Sequence, residues 1–351
     1  MRTFLFWRIN FRIVILATVL LGMPPSWAQQ APRPNLSGSD LTPKVVEDYT
    51  TPALGNGTML GSMESVELEH DDDPLFTRDV TRVVWRGGDP IDLYVIKPAG
   101  VKKPPVILYL FDYPKENDQY LKREFCRLLT KDGFAAVGFV AALTGQRYHD
   151  RPMKEWFVSE LRESLASSAH DVQMILNYLA SRGDVDMHRV GMFGDGSGAS
   201  IAILAAAVDP RIETVDLLDP WGDWPDWIKE TTRIPEKERP DYLKAEWLAG
   251  VEPLDPVKWL PKLTARKVRM QFVKDIAVTP ADVQQKIEAA APANAQIIHY
   301  DNTASYSASV AGGKGFDWIK RQVRGEVPAE YRAAGPAQNK DSSMRAKDSQ
   351  R

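Results

Sequence analysis

What most constrains this chain is an alternation between short, unbroken apolar runs and segments of helical period. Residues 106–111 (V-I-L-Y-L-F) contain no charged interruption, as a strand buried on both faces requires. Leu121, Phe125, Leu128 and Leu129 follow at helical spacing, and 134–140 (F-A-A-V-G-F-V) read as a second buried strand. Val172, Ile175, Leu176 and Leu179 recur at i, i+3, i+4 and i+7; then 190–193 give a third strand, 201–207 a helix and 215–218 a fourth strand. Residues 268–273 and 295–300 add two strands around a helix at 283–290, and 315–323 read as the closing helix. Single strands alternating with helices demand crossover connections, hence a mainly parallel, doubly wound α/β sheet. Ahead of it, 79–85 and 91–97 read as an antiparallel hairpin turned by Gly87-Gly88-Asp89 at the sheet edge. The polar, Trp-rich stretch 225–262 interrupts the alternation and is expected to form a helical cap over the carboxyl edge of the sheet.

The ends read differently. Arg2, Arg8 and Arg12 surround the start of an apolar run at 13–21, and Ser26-Trp27-Ala28 closes it with small-residue cleavage chemistry, so residues 1–28 are expected to be a signal peptide. The run is shorter than the about 20 residues of a membrane span. The protein is therefore expected to be exported, periplasmic or extracellular, and not integral to the membrane after cleavage; an uncleaved anchor is the alternative. Residues 29–75 read as a linker and loosely packed lead-in, and the acidic run Glu67, Glu69, Asp71, Asp72, Asp73 lacks calcium-loop spacing and reads as solvated surface. Residues 76–324 form the α/β domain, and 325–351 are expected to be a disordered tail. A formal net charge of −3 over 351 residues argues against a nucleic-acid partner. Cys126 is the single cysteine, so no internal disulfide forms; it lies in an apolar helical pattern and is expected to be buried. No Cys/His pair has zinc-site spacing, and neither a metal nor a cofactor is expected.

Residues 190–199, V-G-M-F-G-D-G-S-G-A, run from an apolar strand through a glycine-dense turn into a small-residue helix. In the G-x-S-x-G version of this turn the central residue is an attacking serine. Here the five residues are Gly194, Asp195, Gly196, Ser197 and Gly198.

With these residues in place the chain resembles the α/β-hydrolase superfamily, in its dienelactone-hydrolase and prolyl-oligopeptidase-like branch. The resemblance covers most of residues 77–324 and rests on P-P-V-I-L-Y-L-F-D-Y-P (104–114), D-V-Q-M-I-L-N-Y-L (171–179), R-V-G-M-F-G-D-G-S-G-A (189–199), A-A-A-V-D-P-R-I (205–212) and Q-F-V-K-D-I-A-V-T-P (271–280). It implies a three-layer fold and a catalytic triad. By that resemblance Gly196 stands at the nucleophile, Asp275 at the acid after the penultimate strand, and Ser305 where the histidine should follow the last strand. The oxyanion loop, commonly opening His-Gly, is Phe111-Asp112 here. Nucleophile, base and oxyanion loop are thus all altered.

Acyl transfer in this fold needs a hydroxyl activated by an imidazole that a carboxylate orients. Gly196 offers no side chain, and it relieves a backbone strain of roughly 1–3 kcal/mol that an elbow serine carries. A one-residue shift of frame would make Ser197 the nucleophile, but Asp195 at −2 would crowd the turn and repel an oxyanion; Ser197 equally suits the start of the helix, near orphan N–H groups. Among the five histidines, His299 lies inside the last strand and is expected to pack, while His170 and His188 are expected at the surface or a helix end. His70 lies in the acidic run. His149 lies in the loop after the second parallel strand, at the functional edge of such sheets. Two enzymatic outcomes stay open: a fold that has lost serine hydrolysis and keeps a cleft for a small molecule, or an active esterase, lactonase or peptidase using Ser197, Asp275 and His149 or His299. A third reading is an envelope component with a protein partner. The cleft candidates are Phe111, Asp112, Asp195, Ser197, Trp221 and Trp224. Asp112, Asp195 and Asp275 would make the cleft acidic. Trp221, Trp224 and Trp227 would either stack on a planar ligand or anchor the cap.

Overall fold

The computed structural model describes residues 47–55, 64–113, 117–144, 147, 158–264, 266–275 and 278–325, all within the compact unit Val45–Arg351. The expected signal peptide, most of the lead-in, His149 and nearly all of the expected tail lie outside the described residues. Among the described residues no helix is long and apolar enough to cross a membrane.

The strands are β1 Glu64–Asp73, β2 Phe76–Val84, β3 Ile91–Pro98, β4 Pro105–Leu110, β5 Ala135–Gly138, β6 Asp186–Asp195, β7 Ile212–Leu218, β8 Lys267–Val273 and β9 Gln296–Tyr300. They form one nine-stranded sheet in the order β1-β2-β3-β5-β4-β6-β7-β8-β9. The hairpin end, β1 to β3 and its junction with β5, is antiparallel, and every pairing from β5 to β9 is parallel. Alternate residues of the unbroken runs enter opposite cores. Val106 and Leu108 pack under the helices α2 (Leu161–Arg182), α3 (Ser197–Val208) and α8 (Ala281–Ala290). Ile107 and Tyr109 pack with α1 (Arg123–Thr130) and α10 (Asp317–Arg324). Burial on both faces is why those runs contain no charged positions. Cys126 is fully buried, as expected.

The stretch after β7 is helical, as expected of a cap: α4 Trp224–Glu230, α5 Arg239–Tyr242, α6 Ala245–Val251 and α7 Pro256–Trp259. Helix α9, Thr303–Val310, has no buried residue and so no apolar stripe to announce it.

The acidic run is exposed at Glu67, Glu69 and Asp72, as expected, but as strand β1, whose ladder to β2 supplies its order; Arg78 bonds Glu69, and Arg127 bonds the buried Asp73 at 2.9 Å. Three other expectations are corrected. The described lead-in, residues 47–55, is fastened rather than loose: Gln173 of α2 donates to the Pro52 carbonyl (2.7 Å) and accepts from the Leu54 N–H (3.1 Å). His170 is not at a surface or helix end but inside α2, 1% exposed, contacting Glu47 at 2.8 Å and the Thr51 carbonyl at 3.0 Å. His299 stacks on Phe272 at 5.6 Å yet stays exposed, because β9 is an edge strand.

Candidate active site

The end of β6 turns through Gly196 into α3. Gly196 has φ 57° and ψ −117°, a conformation that an L side chain adopts only under strain. Its N–H donates to the Leu218 carbonyl at 2.8 Å, tying the bend to the end of β7. A Cβ on Gly198 would strike the Leu110 carbonyl, and one on Gly194 would strike the backbone of Gly198 and Ala199. The flanking glycines are therefore dictated by close backbone approach.

The space above Gly196 is occupied. A Cβ built there would fall inside van der Waals contact of the Asp112 carboxylate, which reaches over from the segment after β4. Asp112 Oδ1 accepts from the Ser197 N–H (3.0 Å) and the Ser197 hydroxyl (3.1 Å), and that hydroxyl accepts from the Tyr113 N–H (2.9 Å). The N–H following the elbow residue is a donor of the oxyanion hole in the G-x-S-x-G arrangement, so a carboxylate oxygen rests where an oxyanion would. Asp112 Oδ2 is paired with Arg233, from the cap segment between α4 and α5. The Arg233 guanidinium stands 5.6 Å from the Tyr113 ring centroid and 5.8 Å from that of Trp221.

Next to this pair lies Asp219, which follows β7 with a left-handed φ of 44° and accepts from the Val273 N–H at 2.9 Å. Burial pushes its carboxyl up to about 7, the neighbouring carboxylates Asp195, Asp112 and Asp275 add to the rise, and the Val273 bond opposes it. Neither Arg233 nor Asp219 is marked in the sequence. Arg233 lies 121 residues from its partner, and an aspartate after a strand does not announce burial.

The other sequence candidates scatter. Asp275 is exposed and accepts from the Thr303 N–H and hydroxyl, both at 2.8 Å, which hold its carboxyl below the usual carboxylate range. Ser305 is exposed and forms a capping box with Asn302 at the start of α9. Ser197 is fully buried at the first position of α3, and its hydroxyl serves Tyr113 and Asp112 rather than an orphan N–H of its own helix. Asp195 closes β6 beside the elbow, half-buried. Phe111 turns to the α1 side, packing against Tyr120, Phe125 and Phe193. Trp221, Trp224 and Trp227 are buried, with Trp221 stacked on Trp227 at 4.7 Å and Trp224 edge-on to Trp227 at 5.8 Å. Trp224 also lines a cavity of about 300 Å³ with Pro225, Ala245, Leu248 and Ala249. Among the described residues no group of three His, Cys, Asp or Glu side chains is placed to hold a metal ion.

No protein-family model matches the sequence, and no curated protein does. Solved structures do. An acetyl xylan esterase from Paenibacillus sp. superposes with a TM-score of 0.58 at 14% identity, over 76% of this chain and 89% of the esterase. Acetyl xylan esterase 1 from Thermoanaerobacterium sp. gives 0.52 at 16% identity, over 68% and 81%. A 2,6-dihydroxy-pseudo-oxynicotine hydrolase gives 0.52 at 15% identity, over 78% and 72%. Likeness at this identity establishes architecture: the chain has the three-layer α/β-hydrolase fold.

Proposed function

We propose that this is an exported α/β-hydrolase-fold protein that binds a small molecule at its capped elbow and carries out no serine hydrolysis. One observation carries the reading: at the bend where a nucleophile would project there is only Gly196, and the Asp112 carboxylate takes up the space. Acyl transfer requires an activated hydroxyl and a vacant donor pair for the developing oxyanion. Here the first is missing, and a negative oxygen already sits on the Ser197 N–H.

The rival set of Ser197, Asp275 and His149 draws less support. The Ser197 hydroxyl donates to Asp112, and Asp275 bonds Thr303 at the exposed rim. Incubation of the mature protein with a fluorophosphonate probe should leave every serine unmodified. Stoichiometric labelling, mapped to Ser197 or any other serine, would overturn the reading. Export predicts a mature chain beginning at Gln29 in the periplasmic or culture fraction; an intact N-terminus in the membrane fraction would favour the anchored alternative.

A further inference from the structure

We infer that the elbow is a carboxylate-binding site with Asp112 as its resident occupant, and that the protein's ligand is a small molecule carrying a carboxylate. The inference rests on the non-hydrolytic reading above and names the class of ligand for that site. Among the described residues, donors from two separate segments converge on the Asp112 carboxylate. The Ser197 N–H and hydroxyl, at the start of α3, meet Oδ1 at 3.0 and 3.1 Å, and Arg233 of the cap meets Oδ2. Separate donors on the two oxygens recognise a carboxylate as a whole.

The Ser197 hydroxyl is oriented for this role. Because it accepts from the Tyr113 N–H, its own proton is directed at the carboxylate. Arg233 has capacity to spare: its Nε is shielded from solvent and has no hydrogen-bond partner among the described residues. A guanidinium with a buried, unmet donor is poised for one more acceptor than Asp112 supplies. The Tyr113 and Trp221 rings flank it and offer apolar walls to whatever the ligand's carboxylate is attached to. Burial keeps Asp219 partly protonated near neutral pH, which lessens the negative charge beside the site.

The occupant belongs to irregular backbone. Asp112 lies two residues beyond the end of β4, outside any helix or strand, so its side chain can withdraw without disturbing a ladder. A ligand carboxylate must displace it, so the native protein binds with an affinity reduced by the fraction of time that Asp112 is in place. Removing that side chain should expose the full affinity.

The test is thermal unfolding and calorimetric titration of the native protein, Asp112→Ala and the double variant Asp112→Ala/Arg233→Gln with acetate and propionate. Chloride and acetamide at equal concentration are the controls. Asp112→Ala should be stabilised by millimolar acetate or propionate and bind them at least about tenfold more tightly than the native protein. The response should vanish in the double variant. If Asp112→Ala fails to fold unaided, propionate and not chloride should restore its refolding yield. Equal responses to carboxylates and chloride, a response that survives Arg233→Gln, or no restoration of folding would each overturn the inference. Fluorophosphonate labelling of the native protein separates the two ideas. A labelled serine sinks the non-hydrolytic reading, whereas an unlabelled protein whose Asp112→Ala variant is indifferent to carboxylates sinks the ligand assignment alone.

Discussion

Around Asp171, Arg86 and Arg147 face the carboxylates of Glu47, Asp89 and Asp171, all nearly or fully buried. Each group there is bonded several times over: Arg147 reaches Asp89 at 2.8 Å, Asp171 at 2.6 Å and the Val140 carbonyl at 3.2 Å, while the Trp85 indole N–H donates to Asp171 at 2.9 Å. The elbow is built differently. Arg233, its side chain a quarter exposed, is the guanidinium paired with Asp112, and Asp195 lies close enough to Asp219 to raise the proton affinity of that carboxyl. The first cluster fastens the lead-in, the hairpin turn and the loop after β5 to α2. The second leaves a carboxyl half-protonated near neutral pH, an unmet buried donor and a left-handed aspartate. Well-satisfied ion clusters hold parts together; under-satisfied ones, with strain beside them, collect where a ligand is meant to complete them.

The largest effect that could break this contrast is at the well-satisfied cluster. Asp171→Ala takes a shared carboxylate from two buried guanidinium groups and the acceptor from the Trp85 indole, and should cost about 3–5 kcal/mol in denaturant unfolding. Asp112→Ala, which exposes a partly solvated Arg233, should cost clearly less. Equal losses would show that the elbow pair is as structural as the cluster under α2.

A comparable effect of opposite sign is expected at Asp219. Its carboxyl is raised from 3.8 to about 7 in the folded protein, so between those values the folded state holds a proton that the unfolded state has released. Stability therefore falls as pH rises from about 4 to about 7, by up to roughly 4 kcal/mol for a displacement of that size. Asp219→Asn keeps an acceptor for the Val273 N–H and has no charge to bury. It should match the native protein near pH 4 and exceed it increasingly up to about pH 8. Melting curves across that range that keep the native slope would place the burden elsewhere.

Gly196→Ser should cost roughly 1–3 kcal/mol from positive φ, and more from collision with Asp112. Pairing it with Asp112→Gly should recover the collision part, read as coupling in a double-mutant cycle. Neither variant should turn over an ester. Additive losses would mean that the carboxylate does not occupy the nucleophile's space.

Legibility in the sequence followed the same divide. Strands β4 and β5 and residues 190–194 of β6 announce themselves because burial on both faces removes polar positions, whereas β7 and β8 keep apolar runs around a buried Asp216–Arg269 pair. Strand β1 does not, since an edge strand with exposed carboxylates is ordered by its ladder to β2. Within the site, Gly196, Ser197 and Asp112 could be read because backbone crowding at the bend fixes the glycines around them. Arg233 could not, because it enters from the cap with no spacing relation to the turn. Its pairing is a property of how α4 and α5 fold back over the sheet.

Ser305 tests whether that divide extends to the far rim of the elbow. Alignment places it at the station of a base, yet its backbone N–H donates to the Asn302 side chain at 2.8 Å, and its hydroxyl contacts the Asn302 backbone. That is the reciprocal arrangement of a capping box. Asn302→Ala removes the acceptor for the Ser305 N–H and should cost about 1 kcal/mol, with no change in the response of the Asp112→Ala background to acetate. A loss confined to stability assigns this rim to holding α9 in place. A shift in carboxylate affinity would extend the under-satisfied site from Arg233 and Asp219 across to the end of β9, and the contrast between the two clusters would have to be redrawn.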